Sequence, residues 1–131
     1  MSASAAVVAT GSCNCGGVKY TVTGPLREVI ACHCGQCRKQ TGHHWASGLA
    51  ADADVTITGD VKWFASSDTA QRGFCPNCGC FLFWKMHGEP KISFSLGAID
   101  GATGLRLNRH IFTAFKGDYY DIADGIPQRE N

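Results

Sequence analysis

The eight cysteines of this chain fall into three clusters, Cys13-Asn14-Cys15, Cys32-His33-Cys34-Gly35-Gln36-Cys37 and Cys75-Pro76-Asn77-Cys78-Gly79-Cys80. Buried inert thiols scatter along a sequence, whereas these repeat as C-x-C, C-x-C-x-x-C and C-x-x-C-x-C. At 131 residues the chain can bury roughly two thirds of its unfolded surface in one core, so it needs no covalent staples. The opening MSASAAVVATGS has no basic start, and its apolar run is too short for a signal peptide or a membrane span. A cytoplasmic location is the expectation, and there thiols stay reduced and serve metal or redox chemistry.

The outer clusters read as one closed metal site. Residues two apart in a strand share a face, so Cys13 and Cys15 can offer both sulfurs to one ion. Cys75-Pro76-Asn77-Cys78-Gly79 has the form of a zinc-knuckle turn, in which Gly79 takes a positive φ and backbone N–H groups approach the sulfurs. Four thiolates suit tetrahedral zinc and leave no open position, which makes the site structural. Iron suits four thiolates too. A redox role for Cys75 and Cys78 is the competing reading, but that motif normally opens a helix beside a βαβ unit.

The central cluster reads as an open site. Cys32 and Cys34 share a face if extended, and Cys37 returns after the Gly35-Gln36 turn. Three thiolates on zinc keep one position for water or substrate. Soft ligands favour another thiolate there, and a substrate thiol so bound is deprotonated and attacks an electrophilic carbonyl such as an aldehyde. His33 sits between two of the ligands and faces away from them, as a packing residue or as an acid or base for the reaction. His43 and His44 follow one turn later as further acid or base candidates. Arg38 and Lys39 are candidates to hold the carboxylates of a peptide-like thiol. His87 and His110 carry no local signature and read as structural. Cys80 is left over from the seven ligands and reads as a small buried residue.

Alternating, β-branched segments predict strands at 18–23 and 26–31, and extended stretches at 44–51 and 54–58. Gly59-Asp60 reads as a hairpin turn into a strand at 61–65. Further strands are expected at 81–84, buried on both faces, at 91–96 and at 110–115. Residues 38–42 have the composition of a short helical turn closed by glycine. Many short strands with turn signals point to a mainly β, mostly antiparallel sandwich or barrel-like domain over residues 11–127, stabilised by zinc. Residues 1–10 read as a flexible N-terminus and 128–131 as a tail. Net charge is only +1, and the one dense basic spot is Arg38-Lys39, so a nucleic-acid partner is not expected. Exposed strand edges leave room for a homodimer.

From residue 11 to residue 127 the chain resembles the glutathione-dependent formaldehyde-activating enzyme family. The resemblance is carried by GSCNCGGVKY, CHCGQCRKQTG, Ser66-Ser67, RGFCPNCGC before an apolar strand, Gly97-Ala98-Ile99-Asp100, RHIF and DIADGIP. It implies a zinc-bearing, mostly antiparallel β fold with two zinc ions. Cys13, Cys15, Cys75 and Cys78 match the structural site, and Cys32, Cys34 and Cys37 match the second. The implied activity is a carbon–sulfur lyase reaction, addition of glutathione or a similar thiol to formaldehyde or a small aldehyde, giving an S-hydroxymethyl adduct. Cys80 stands where the family usually has a small hydroxyl residue, and Tyr119 where tryptophan is more familiar. Two other functions fit the same residues: a zinc-stabilised binding module, and a thiol-disulfide redox protein using Cys34 and Cys37.

Overall fold

The computed structural model describes residues 6–131. In chain order the strands are β1 (Val7–Ser12), β2 (Lys19–Thr23), β3 (Glu28–Cys32), β4 (Trp45–Ala51), β5 (Val55–Thr58), β6 (Lys62–Ala65), β7 (Ala70–Phe74), β8 (Phe81–Met86), β9 (Lys91–Ser95) and β10 (Arg109–Ile111). A single helix, α1 (Gly35–Thr41), joins β3 to β4. Strands β1, β2 and β5 form a three-stranded sheet, and the rest form a seven-stranded sheet in the order β10-β3-β4-β9-β8-β7-β6. Among the described strands β10 pairs with β3 in parallel and the other pairings are antiparallel. The expected mainly β fold is thus present as two open sheets, not a closed barrel. Among the described residues no helix is long and apolar enough to cross a membrane.

Period-two alternation gives the large sheet two different faces. Ala50, Phe83, Ile92 and Phe94 turn toward the small sheet, where they meet Val18, Tyr20 and Val22 in one buried cluster. Each such large apolar side chain contributes about 1.5–3 kcal/mol on burial. Gly48 makes room for this packing, since a Cβ there would lie 2.5 Å from Cζ of Phe94. Tyr20 is the polar tie between the sheets: its hydroxyl donates to the Ser95 carbonyl at 2.6 Å. The alternate residues of the same strands, among them Ile30, Ser47, Arg72, Trp84 and Ser93, face the other way and line a cavity.

Several expectations need correction. The N-terminal segment read as flexible contains β1 from Val7 onward, paired with β2; residues 1–5 of it lie outside the described residues. Gly59-Asp60 is not a hairpin turn, because β5 and β6 belong to different sheets. Gly59 is instead a crossing point, with φ 96° and no room for a Cβ against the Gly17 carbonyl. The strand expected at 110–115 stops at Ile111, where Phe112 takes φ 56° and starts a 3-10 turn. Residues 70–74 form β7, which Gly73 hid from a propensity reading. Gln128, in the expected tail, bridges to His110 beside β10.

Candidate metal centres and active site

Cys13 and Cys15 lie just past the end of β1 in a turn, not in a strand as expected. Gly16 closes that turn with φ 77°. The Val18 N–H donates to Cys13 Sγ at 3.3 Å and the Gly17 N–H to Cys15 Sγ at 3.4 Å. The turn between β7 and β8 repeats the device: the Cys78 N–H donates to Cys75 Sγ at 3.5 Å, and Gly79 has the expected positive φ, 77°. The four sulfurs lie within 4.8 Å of one another. Cys15 Sγ is 3.6 Å from both Cys13 Sγ and Cys75 Sγ, far beyond a disulfide bond. A tetrahedron with metal–sulfur bonds of about 2.3 Å has edges of about 3.8 Å, so this donor set fits a tetrahedral ion. Burial would raise the Cys13 thiol, but the Val18 N–H and the neighbouring sulfurs outweigh it and bring it down to about 6. The set clasps the small sheet, through β1, to the large one, through β7 and β8.

Cys80 stays outside this set. Its thiol donates to the Phe81 carbonyl at 3.9 Å, and burial pushes it up. It packs against the core, as a small partly buried residue.

The central sulfurs also lie within 4.8 Å of one another. Cys32 ends β3, Cys34 is the N-cap of α1, and Cys37 is buried in the first turn of the helix. The Cys37 N–H donates to Cys34 Sγ at 3.4 Å. Gly42, with φ 80°, ends the helix by donating to the Arg38 carbonyl. Hydrogen bonds from the Cys32 and Cys37 thiols hold Cys34 far below the ordinary thiol range, and the same contact pushes Cys32 up. These three soft donors also fit a metal, and among the described residues no fourth ligand joins them.

A cavity of about 310 Å³ opens beside these three sulfurs on the outer face of the large sheet. Its walls are mainly apolar, from Ile30, Trp45, Trp84, Ile111 and Phe112, with Ser47 and Ser93 between them. Trp45 stands directly across the β3–β4 ladder from Cys32. The left-handed backbone of Phe112, uncommon for a bulky residue, belongs to this wall.

Arg72 is the functional residue that sequence reasoning missed. It is only 5% exposed. Its guanidinium donates to Cys37 Sγ at 3.5 Å, Cys34 Sγ at 3.7 Å and Gln40 Oε1 at 2.7 Å. A face of the group lies over the Phe81 ring, 5.4 Å from its centroid. Three thiolates on a divalent ion carry one net negative charge, which a fixed guanidinium offsets. Two N–H groups of residues that line this cavity, Arg72 Nε and Trp45 Nε1, are closed off from solvent and have no partner. Leaving a buried donor unsatisfied costs about 1–3 kcal/mol.

Arg38 and Lys39 are not among the residues lining the cavity. Arg38 is half-buried on α1 and Lys39 is exposed. Among the described residues the cation that contacts these sulfurs is Arg72, from a strand more than thirty residues later.

His33 faces away from the sulfurs, as the alternation implied, into a second cavity lined also by His43, His44, His110 and Tyr120. It is fully buried. Its Nδ1 lies 2.5 Å from the Tyr120 hydroxyl and its Nε2 lies 2.9 Å from His110 Nδ1. His110 Nε2 in turn lies 2.8 Å from Asp124. One set of proton positions satisfies all three contacts: Tyr120 donates to His33, His33 to His110, and His110 to the carboxylate. Burial, reinforced by the neighbouring histidines and Lys116, lowers His33 to about 4, which keeps its ring neutral as that arrangement requires. The His33 backbone is held too, its N–H donating to the Ile111 carbonyl at 3.0 Å. His33 is thus an anchor for the ligand segment, and His110, read as merely structural, is its partner. His43 is exposed and His44 half-buried beside them, and His87 is exposed away from both cavities.

The chain is 25% identical over 116 residues to an uncharacterized lyase of Schizosaccharomyces pombe, covering 87% of this chain and 85% of that protein. A crystal structure of a Rhodobacter sphaeroides protein shares the fold, with a TM-score of 0.59 and 21% identity over 72% of this chain and 91% of that one. The model of one family, the glutathione-dependent formaldehyde-activating enzyme, matches residues 8–115. That match takes in all seven clustered sulfurs, the strands that carry them and Arg72, and the chain belongs to this family.

Proposed function

We propose that the protein is a zinc-dependent lyase-type enzyme that joins a thiol, glutathione or a relative, to formaldehyde or another small aldehyde, giving an S-hydroxymethyl type adduct. The observation that carries the reading is the contrast between the two sulfur sets. Four sulfurs close on one another at the join of the sheets, whereas three face a cavity of about 310 Å³. Zinc at the central set would bind a substrate thiol as thiolate and make it nucleophilic at neutral pH.

The chain's own residues do the rest. Cys32, Cys34 and Cys37 would hold the ion beside the cavity that they line. Arg72 balances their charge, so that a further anionic sulfur is tolerated. The apolar walls exclude water from the reacting carbon. His33, tied to His110 and Tyr120, fixes the segment between Cys32 and Cys34. Any contact of Arg38 or Lys39 with carboxylates of the thiol lies outside the cavity. Cys13, Cys15, Cys75 and Cys78 would hold the second zinc, and their contacts join the two sheets.

The test is to mix the zinc-loaded protein with thiol and formaldehyde and follow adduct exchange by NMR. Exchange faster than the uncatalysed rate, abolished in Cys34→Ser, is expected. A rate equal to the protein-free reaction for every thiol tried would end this reading.

A further inference from the structure

We infer that Arg72 sets the charge of the ligand taken at the central sulfurs: the fourth position of an ion held there accepts a soft monoanion, a thiolate or a small anion of the thiocyanate kind, in preference to a neutral donor. The inference deepens the proposed thiol addition and rests on it for the ion. It makes Arg72 a specificity-determining residue, and two observations carry it.

The first is a buried cation whose counter-charge is sulfur. Arg72 is 5% exposed, and among the described residues the ion pairs are made by other side chains, Lys85 with Asp52, Arg109 with Glu28 and His110 with Asp124. A buried guanidinium stays charged and needs an anion beside it. Cys37 Sγ, 3.5 Å from Nη1, and Cys34 Sγ, 3.7 Å from Nη2, are the groups that supply it. The group is held from three sides. Its strand sets it between Phe64 and Trp84 across the ladders, Gln40 Oε1 accepts from Nη1 at 2.7 Å, and the Phe81 ring lies against it at 5.4 Å. Arg72 also lines the cavity together with the three sulfurs, so a fixed positive charge stands where a fourth ligand arrives.

The second is the contrast with the closed set. Four thiolates on a divalent ion carry two net negative charges, yet the hydrogen bonds to those sulfurs come from the backbone N–H groups of Gly17, Val18 and Cys78. Three thiolates carry one, and theirs is the set given a buried cation. A closed site keeps its charge, whereas an open one changes charge with each ligand. With Arg72 beside it, the central ion and its three thiolates are neutral as a group, and an arriving thiolate leaves one net negative charge. Without Arg72 the same arrival leaves two. A neutral ligand brings no charge for the guanidinium to offset. The preference is therefore a ratio of two affinities.

Thiocyanate, and imidazole at about pH 8 where its ring is neutral, are the probes. Cobalt in place of zinc supplies the readout, because its visible spectrum changes with the fourth ligand. Wild-type protein should bind both probes, with 2-mercaptoethanol competing against thiocyanate. Arg72→Met keeps the buried stem and removes the charge; it should lower the thiocyanate-to-imidazole affinity ratio at least about 10-fold. In Arg72→Lys the ratio should stay close to wild type. A side chain needed only for packing or for retaining the ion would move both affinities together. Gln40→Glu, at an exposed position, sets a carboxylate against Nη1 and should lower the ratio in the same direction; it decides the matter should Arg72→Met fail to fold or to retain cobalt. An unchanged ratio in the cobalt-loaded variant, or a wild-type spectrum that answers to neither probe, overturns the proposal. Adduct exchange in the zinc-loaded proteins separates it from the reaction. Anion selection without exchange removes only the reaction, and exchange with an unchanged ratio removes only the role of Arg72.

Discussion

Nε2 of His33 lies 2.9 Å from Nδ1 of His110, 77 residues further along the chain. A side chain placed between two sulfur ligands is thereby fastened to the strand that pairs with β3 in parallel. Outer partners of this kind typically set metal affinity by 10- to 100-fold. His110→Ala should therefore release the central ion at about 10-fold lower chelator while the four-sulfur site keeps its own. Metal analysis during chelator titration reads both, and a profile identical to wild type would show that the contact does not steady the ligands.

The two sulfur sites should fail differently. Cys78→Ala opens the clasp between the sheets, where a structural ion contributes about 10–16 kcal/mol of apparent folding energy, and should lose metal and cooperative folding together. Cys32→Ala removes a ligand from the open set, at the end of a strand that stays paired on both sides. That variant should lose one ion and keep a sharp thermal transition. Similar melting curves for the two variants would contradict the division into closed and open sites.

Acid should weaken the histidine tether. The Ile126 N–H, followed by His110, holds the Asp124 carboxyl below the ordinary aspartate range. Because the folded value lies under the unfolded one, about 3.9, the contribution is present above that value and is lost as pH falls through the folded one. An NMR titration of the Asp124 carboxyl carbon should give a midpoint below 3.9, moved upward in His110→Ala. A midpoint at or above the ordinary value would place the carboxylate away from both donors.

Tyr20→Phe should destabilise the domain by about 1–3 kcal/mol, the cost of leaving the buried Ser95 carbonyl without its donor. The ring remains, edge-on to Phe83 at 5.6 Å between centroids, so packing is kept. Urea unfolding with both ions bound measures the difference. No change in the midpoint would mean that water replaces the hydroxyl.

The sequence made the sulfurs legible because ligand spacing is local: each cluster closes within six residues, and knuckle glycines mark the turns. It also placed most strands, since alternation is local too. What it could not show is which strand meets which. β5 and β6 are separated by a turn that looks like a hairpin, yet they enter different sheets. β7 lacks the β-branched residues of a typical strand, and Arg72 on it reads as an ordinary cation until the sheet places it over two sulfurs. The same holds for Trp45, which the ladder sets opposite Cys32. His110, Tyr120 and Asp124 reach His33 only through the parallel pairing of β10 and the return of the last residues. Tyr120 and Asp124 also lie beyond the family match at residues 8–115.

The clasp between Cys15 and Cys75 spans 60 residues of chain. A ribosome adding 5–20 residues each second makes the first pair of thiols about 3–12 s before the second pair exists. Until then the small sheet has nothing to be fastened to, and its sulfurs stand open to oxidants and to stray soft metals. A chain cut short before residue 78 can never close the four-sulfur site, so the same four side chains that hold the finished domain together also report that β7, the strand leading into the second pair, has been made.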